Sequence, residues 1–145
     1  MLNQDFREFI QSLNDNQVRY LVVGGYAVAQ YGYPRYTKDI DIWIEMTHEN
    51  AARVVKALAQ FGFASLGLQK ADFLVPDQII QLGYPPARID ILTTLIGVEF
   101  KDCYDSRIQV EMEGILVNYI DSENLIKTKR ASGRLQDLAD VENLE

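Results

Sequence analysis

A chain of 145 residues, 48% of them apolar, suits one domain able to bury about two-thirds of its unfolded surface. A formal net charge of −7 argues against a generally basic nucleic-acid-binding face, although a local basic patch would suffice for RNA. Cys103 is alone, which excludes an intrachain disulfide, and no Cys/His cluster suggests structural zinc. The longest nearly unbroken apolar run, Tyr20 to Ala29, is too short for a bilayer. With no basic start and apolar core at the N-terminus, no signal peptide and no membrane partner are expected, and a cytoplasmic protein is.

Phe6, Phe9, Ile10 and Leu13 keep helical spacing, so the chain begins with an amphipathic helix that ends near Asn14-Asp15-Asn16. Val18 to Val23 is a β-branched-rich strand that runs into Gly24-Gly25. A short helix from Tyr26 to Tyr31 follows, stopped by Gly32 and Pro34. Asp39 to Ile44 reads as the next strand. Thr47 is placed to cap a helix carrying Ala51, Val54, Val55, Leu58 and Phe61, ended by Gly62. Residues 63–77 suggest a short strand or turn with a mobile connection. Ile79 to Leu82 reads as a strand, and Gly83-Tyr84-Pro85-Pro86 as the turn into a strand around Asp90. Val98 to Asp105 suits a short helix, and Arg107–Glu111 with Ile115–Ile120 a hairpin around Glu113-Gly114. Asp121 or Ser122 caps a helix ending at Ser132-Gly133. A last helix, Leu135 to Leu144, puts Leu138, Val141 and Leu144 on one side. The fold class expected is α+β: one domain over 1–145, a mixed sheet with flanking helices, and C-terminal helices (about 121–144) on or beside the sheet.

Asp39 and Asp41 carry the chemistry. Period-2 geometry puts both carboxylates on one strand face, about 6.5 Å apart, and pairing with the Asp90 strand at about 4.8 Å gathers three. An ordinary exposed strand face is the plainer reading, but aspartate is disfavoured in strands and these flanks are apolar on both sides. Three anions facing a core are costly unless cations sit among them, and oxygen-only ligands suit Mg²⁺ or Mn²⁺. Arg88, two residues before Asp90, is an alternative ion-pair partner for it. Gly24-Gly25 is by itself an ordinary turn. With thirteen residues between Gly25 and Asp39, it also lets backbone approach a phosphate at a helix start.

Val23-Gly24-Gly25, then Asp39-Ile40-Asp41-Ile42, then Ile89-Asp90-Ile91 resembles the signature of the DNA polymerase β-like nucleotidyltransferase superfamily. That signature is an apolar residue, glycine, glycine or serine, a short spacer, Asp-apolar-Asp, and a later strand aspartate. More narrowly, Arg35-Tyr36-Thr37-Lys38-Asp39 and the stretch from Leu125 to Asp140 resemble small prokaryotic nucleotidyltransferases related to the AbiEii toxin group. The resemblance covers nearly the whole chain. It implies a palm-like nucleotidyltransferase fold with Asp39, Asp41 and Asp90 as catalytic residues holding two Mg²⁺ (or Mn²⁺) ions. Gly24 and Gly25 would meet the phosphates of a nucleoside triphosphate such as ATP, with Lys129 as a further phosphate contact; for Arg35 and Thr37, beside Pro34, a nucleotide or phosphate contact and a plain loop-shaping role are both open.

The reaction so implied moves a nucleoside monophosphate from the triphosphate to an acceptor hydroxyl, on RNA or protein, and releases pyrophosphate. A toxin–antitoxin setting fits, as does a partner subunit or homodimer that completes the site. The competing reading is a non-catalytic, nucleotide-binding antitoxin-like module; a phosphohydrolase using the same acids fits the glycine turn less well. Lys127, Lys129, Arg130 and Arg134 form a candidate basic patch or a plain charged face. Arg134, Asp137 and Asp140 suit a structural ion-pair network or a second metal site, in that order. Tyr33 and Tyr36 flank the loop before Asp39, where a nucleobase contact is open to one of them. His48 reads as a surface residue and Cys103 as a small buried apolar one.

Overall fold

The computed structural model describes residues 3–33, 39–83 and 88–145. Asn3 opens α1 (Gln4–Asp15) by accepting a hydrogen bond from the Phe6 N–H at 2.9 Å, and Phe6, Phe9, Ile10 and Leu13 form its buried stripe. β1 (Tyr20–Val23) is buried at every position. It runs directly into α2 (Gly24–Gln30), which starts at the glycine pair rather than at Tyr26. β2 (Asp39–Ile44) comes next. α3 (His48–Leu58) follows, with Thr47 Oγ1 accepting from the Asn50 N–H at 3.2 Å as its N-cap. Past α3 the backbone widens into a π-turn, Ala59–Phe63, broken at Gly62 where φ is 117°.

Of the strand or turn that the sequence suggests for residues 63–77, the structure takes the turn. Two 3₁₀ turns, Ala64–Leu66 and Lys70–Phe73, fill the stretch. Phe73 is fully buried, and Phe63, Leu68 and Leu74 pack partly buried against the core without the period-2 alternation of a strand. β3 (Ile79–Leu82) and β4 (Arg88–Leu92) follow, then α4 (Phe100–Asp105). β5 (Ile108–Met112) and β6 (Ile115–Tyr119) form a hairpin whose turn residues, Glu113 and Gly114, both take positive φ. α5 (Ser122–Ser132) is capped by Asp121 and stopped by Gly133 at φ 67°. α6 (Leu135–Leu144) differs from its expected face: Val141 is buried but Leu138 is 43% exposed, and the helix buries Asp137 and Asp140 instead.

The six strands make one mixed sheet in the order β3-β4-β2-β1-β6-β5. β2 pairs parallel with β4 and antiparallel with β1, while β1 pairs parallel with β6. Ile40, Ile42 and Ile44 on one face of β2 are fully buried and belong to one core with the apolar stripes of α1 and α3. Asn50, also buried, fastens α3 to the sheet: its amide accepts from the Arg19 N–H at 2.8 Å and donates to the carbonyls of Arg19 and Glu45. No helix among the described residues is long and apolar enough to cross a membrane.

Candidate active site

The face of β2 opposite those isoleucines carries Asp39, Asp41 and Trp43. β4 contributes Arg88, Asp90 and Leu92 to the same face. The parallel register sets Asp39 opposite Arg88 and Asp41 opposite Asp90. The three aspartates of the sequence pattern are therefore neighbours. Trp43 is buried below them, its Nε1–H donating to the Thr93 carbonyl at 3.4 Å and its ring edge-on to Phe100 at 5.1 Å.

Arg88 binds two of the three acids. Its Nη2 donates to Asp39 Oδ2 at 2.6 Å and to Asp90 Oδ2 at 3.2 Å, and its Nε donates to Asp90 Oδ1 at 3.0 Å. Period 2 on β4 carries the signal in the sequence, since residues two apart share a face. Asp41 lies deeper. Burial, then the charges of Asp90 and Asp39, push its carboxyl up to about 6, with Arg88 and Lys129 opposing.

Gly24, the first residue of α2, presses on Asp41. Its φ is 69°, and a β-carbon there would lie 2.2 Å from Asp41 Oδ2 and 3.1 Å from Asp41 Cγ. Val23, one residue earlier, is opposite Asp41 in the antiparallel register, which brings the glycine turn to the carboxylate. Gly25 is the second residue of α2. Arg35 and Thr37, like Tyr36, lie outside the described residues.

α5 and α6 supply the other wall. A cavity of about 260 Å³ opens between them and the sheet, with Gly24, Asp41 and Leu92 on one side and Thr128, Lys129 and Arg134 on the other. Lys129 is buried, with its Nζ 3.0 Å from Asp137 Oδ1 and 2.9 Å from Asp140 Oδ2. Burial acts to raise the Asp137 carboxyl, but hydrogen bonds from Ser132, Lys129 and Arg134 outweigh it and hold the group below the ordinary aspartate range. Arg134 itself is largely exposed at the cavity mouth, its Nε 2.9 Å from Asp137 Oδ2. The expected network of Arg134, Asp137 and Asp140 is thus tied together by a lysine that the sequence places among phosphate contacts. A larger open groove, about 860 Å³, adjoins the cavity around Leu95, with Trp43, Glu45, Glu99, Asp102 and Lys127 along it.

A family model described as "Nucleotidyltransferase of unknown function (DUF6036)" matches residues 1–145. The chain belongs to this nucleotidyltransferase family. Among solved structures it is similar to a candidate nucleotidyltransferase from Thermotoga maritima, at 16% identity and TM-score 0.59, covering 99% of this chain and 92% of that one. An antigenic nucleotidyltransferase-like protein from Paracoccidioides brasiliensis is similar at 14% identity and TM-score 0.57, over 97% of this chain and 74% of that one. At such identities the likeness is one of fold. No curated protein matches the sequence.

In this family member the donor set suits a hard divalent cation: three carboxylates on one face, with no nitrogen or sulfur ligand beside them. Three carboxylates against one guanidinium leave a surplus of two negative charges when all are ionised. As the side chains stand, no three Asp, Glu, His or Cys groups among the described residues are gathered closely enough to hold an ion. Asp39 and Asp90 are turned onto Arg88. The charge and chemistry of the cluster fit a divalent ion, and Arg88 stands in its way.

Proposed function

We propose that this protein transfers a nucleoside monophosphate from a nucleoside triphosphate to a hydroxyl of a protein or RNA acceptor, with release of pyrophosphate. The observation that carries the reading is the in-register pair Asp41 and Asp90, with the Gly24 backbone packed against Asp41. Nothing nucleophilic is needed from the protein, because phosphoryl chemistry of this kind depends on positioning and charge neutralisation. Gly24 and Gly25 leave room for the triphosphate to approach backbone beside the acids. Asp39, Asp41 and Asp90 would hold the Mg²⁺ or Mn²⁺ ions, which would supply charge neutralisation at the phosphates and acidify the acceptor hydroxyl. Asp90 is the residue placed to receive the proton of that hydroxyl. Arg35 and Thr37 remain assigned to phosphate contact. Lys129 acts mainly by charge through Asp137 and Asp140, and Arg134 is the exposed cation at the cavity mouth.

The acceptor is read from the groove beside Leu95. Glu45, Glu99, Asp102 and Glu123 outnumber Lys101 and Lys127 along it, which supports a protein hydroxyl over a polyanionic RNA. Kinship with the AbiEii-related group, work in the cytoplasm within a toxin–antitoxin pair, and completion of the site by a partner subunit or second copy belong to the same proposal. The Arg88 ion pairs are the one feature that favours the alternative, a module that binds nucleotide without turnover.

The test is label transfer. Purified protein is incubated with Mg²⁺ or Mn²⁺, each α-labelled nucleoside triphosphate, and cell lysate or total RNA, beside an Asp39→Ala/Asp41→Ala double variant. A labelled protein or RNA band absent with the variant is expected. Nucleotide binding with no labelled product from any acceptor would select the module.

A further inference from the structure

One side chain holds both Asp39 and Asp90. The Arg88 guanidinium reaches Asp39 with one nitrogen and grips Asp90 with two, at 2.6–3.2 Å. It does so from a fixed place, because β4 pairs with β2 so that Arg88 is opposite Asp39 and shares a face with Asp90. A structural ion pair would finish there. Here the acids it engages are two of those assigned to divalent ions, while Asp41, opposite Asp90 in register, lines the cavity.

We propose that Arg88 is a positioning residue that acts as a built-in counter-ion: a divalent cation entering the cluster must displace it from Asp39 and Asp90. This rests on the reading of those acids as metal holders. Two positive species compete for the same oxygens, so the guanidinium lowers cation affinity by direct occupancy and by repulsion at a few ångströms. It also keeps Asp39 and Asp90 aimed before any ligand arrives. About a third of the Arg88 side chain is exposed, so it has room to withdraw toward solvent. The phosphates of an incoming triphosphate are an alternative anionic partner for a fork of this geometry. The consequence is order: a free divalent ion binds weakly, and a triphosphate that takes up the guanidinium clears the acids for it.

Mn²⁺ titration of the metal-stripped protein tests this, read calorimetrically or from the spin resonance of the free ion, at a pH above the Asp41 range of about 6. Arg88→Gln should bind Mn²⁺ about tenfold tighter than the native chain, the size expected for removing one nearby cation. Arg88→Lys, which keeps the charge but loses the two-nitrogen grip on Asp90, should fall between them and carries the comparison if the glutamine variant does not fold. An Arg88 variant that is folded yet binds Mn²⁺ no tighter, or more weakly, overturns the proposal, since a purely structural arginine would loosen the site when removed. Asp41→Asn separates the two readings. If Mn²⁺ binding survives that change, or if no variant binds Mn²⁺, the functional reading fails with this one.

Discussion

Gly24 and Asp41 touch across β1 and β2 so closely that the glycine has no space for a side chain: its β-carbon would meet Oδ2 at 2.2 Å. Gly24→Ala should therefore push the Asp41 carboxylate out of place. A shift of about 1 Å at reacting groups costs about 100-fold in rate. The stability loss should be smaller, about 1–2 kcal/mol for a positive φ with a β-carbon. Gly114→Ala is the control, because it too has positive φ but nothing within 4 Å of the added atom. Label-transfer rates and urea melts of both variants separate the two effects.

Asp41 should make folding depend on pH. The folded chain holds the Asp41 proton more tightly than the unfolded chain does, with the carboxyl raised from 3.8 to about 6. Its contribution is then fully present below about pH 4 and is lost as pH rises through about 6. Without divalent ions, Asp41→Asn should be about 2–3 kcal/mol more stable than the native protein at neutral pH, with the gap closing at pH 4. Thermal melts in chelator across this range check it. Mg²⁺ should raise the melting temperature of the native chain and leave that of Asp41→Asn unchanged.

Lys129 should matter more for stability than its place near the cavity suggests. Replacing it with Met strands two buried carboxylates, Asp137 and Asp140. Breaking such a pair costs about 3–5 kcal/mol. Arg134→Gln removes only an exposed partner of Asp137 and should cost at most about 1 kcal/mol. Urea denaturation of the two variants side by side would reveal the contrast. Equal small losses would return Lys129 to the role of a simple phosphate contact.

Acid should unfasten the same corner. The hydrogen bonds from Ser132, Lys129 and Arg134 keep the Asp137 carboxyl below its ordinary value. Its stabilising contribution is complete above that value and disappears as pH falls beneath it. Hydrogen exchange in α5 and α6 should rise below about pH 4, before exchange in β1 and β2 does.

Much of this was legible from spacing alone. Asp39, Asp41 and Asp90 announce themselves because period 2 and apolar flanks are local properties, and the Thr47 cap and the Glu113-Gly114 turn are local in the same way. Register is not local: that Asp41 meets Asp90, and Asp39 meets Arg88, follows from how β2 and β4 align across 49 residues. Lys129 was harder still. Its burial depends on how α5 and α6 cross, and a lysine four residues from a glycine stop looks like any exposed helix end. Leu138 misled for the same reason, since α6 turns its acids inward.

The chain has a single tryptophan, and it stands two residues from Asp41 on the same strand face. Trp43 is shielded from water and held by Thr93 and Phe100, which belong to the segment lining the larger groove. All indole emission therefore originates beneath the carboxylates. The protein contains its own optical gauge: native fluorescence should be blue-shifted, and any ligand that moves β2 or residues 93–100 should change it without a dye or label.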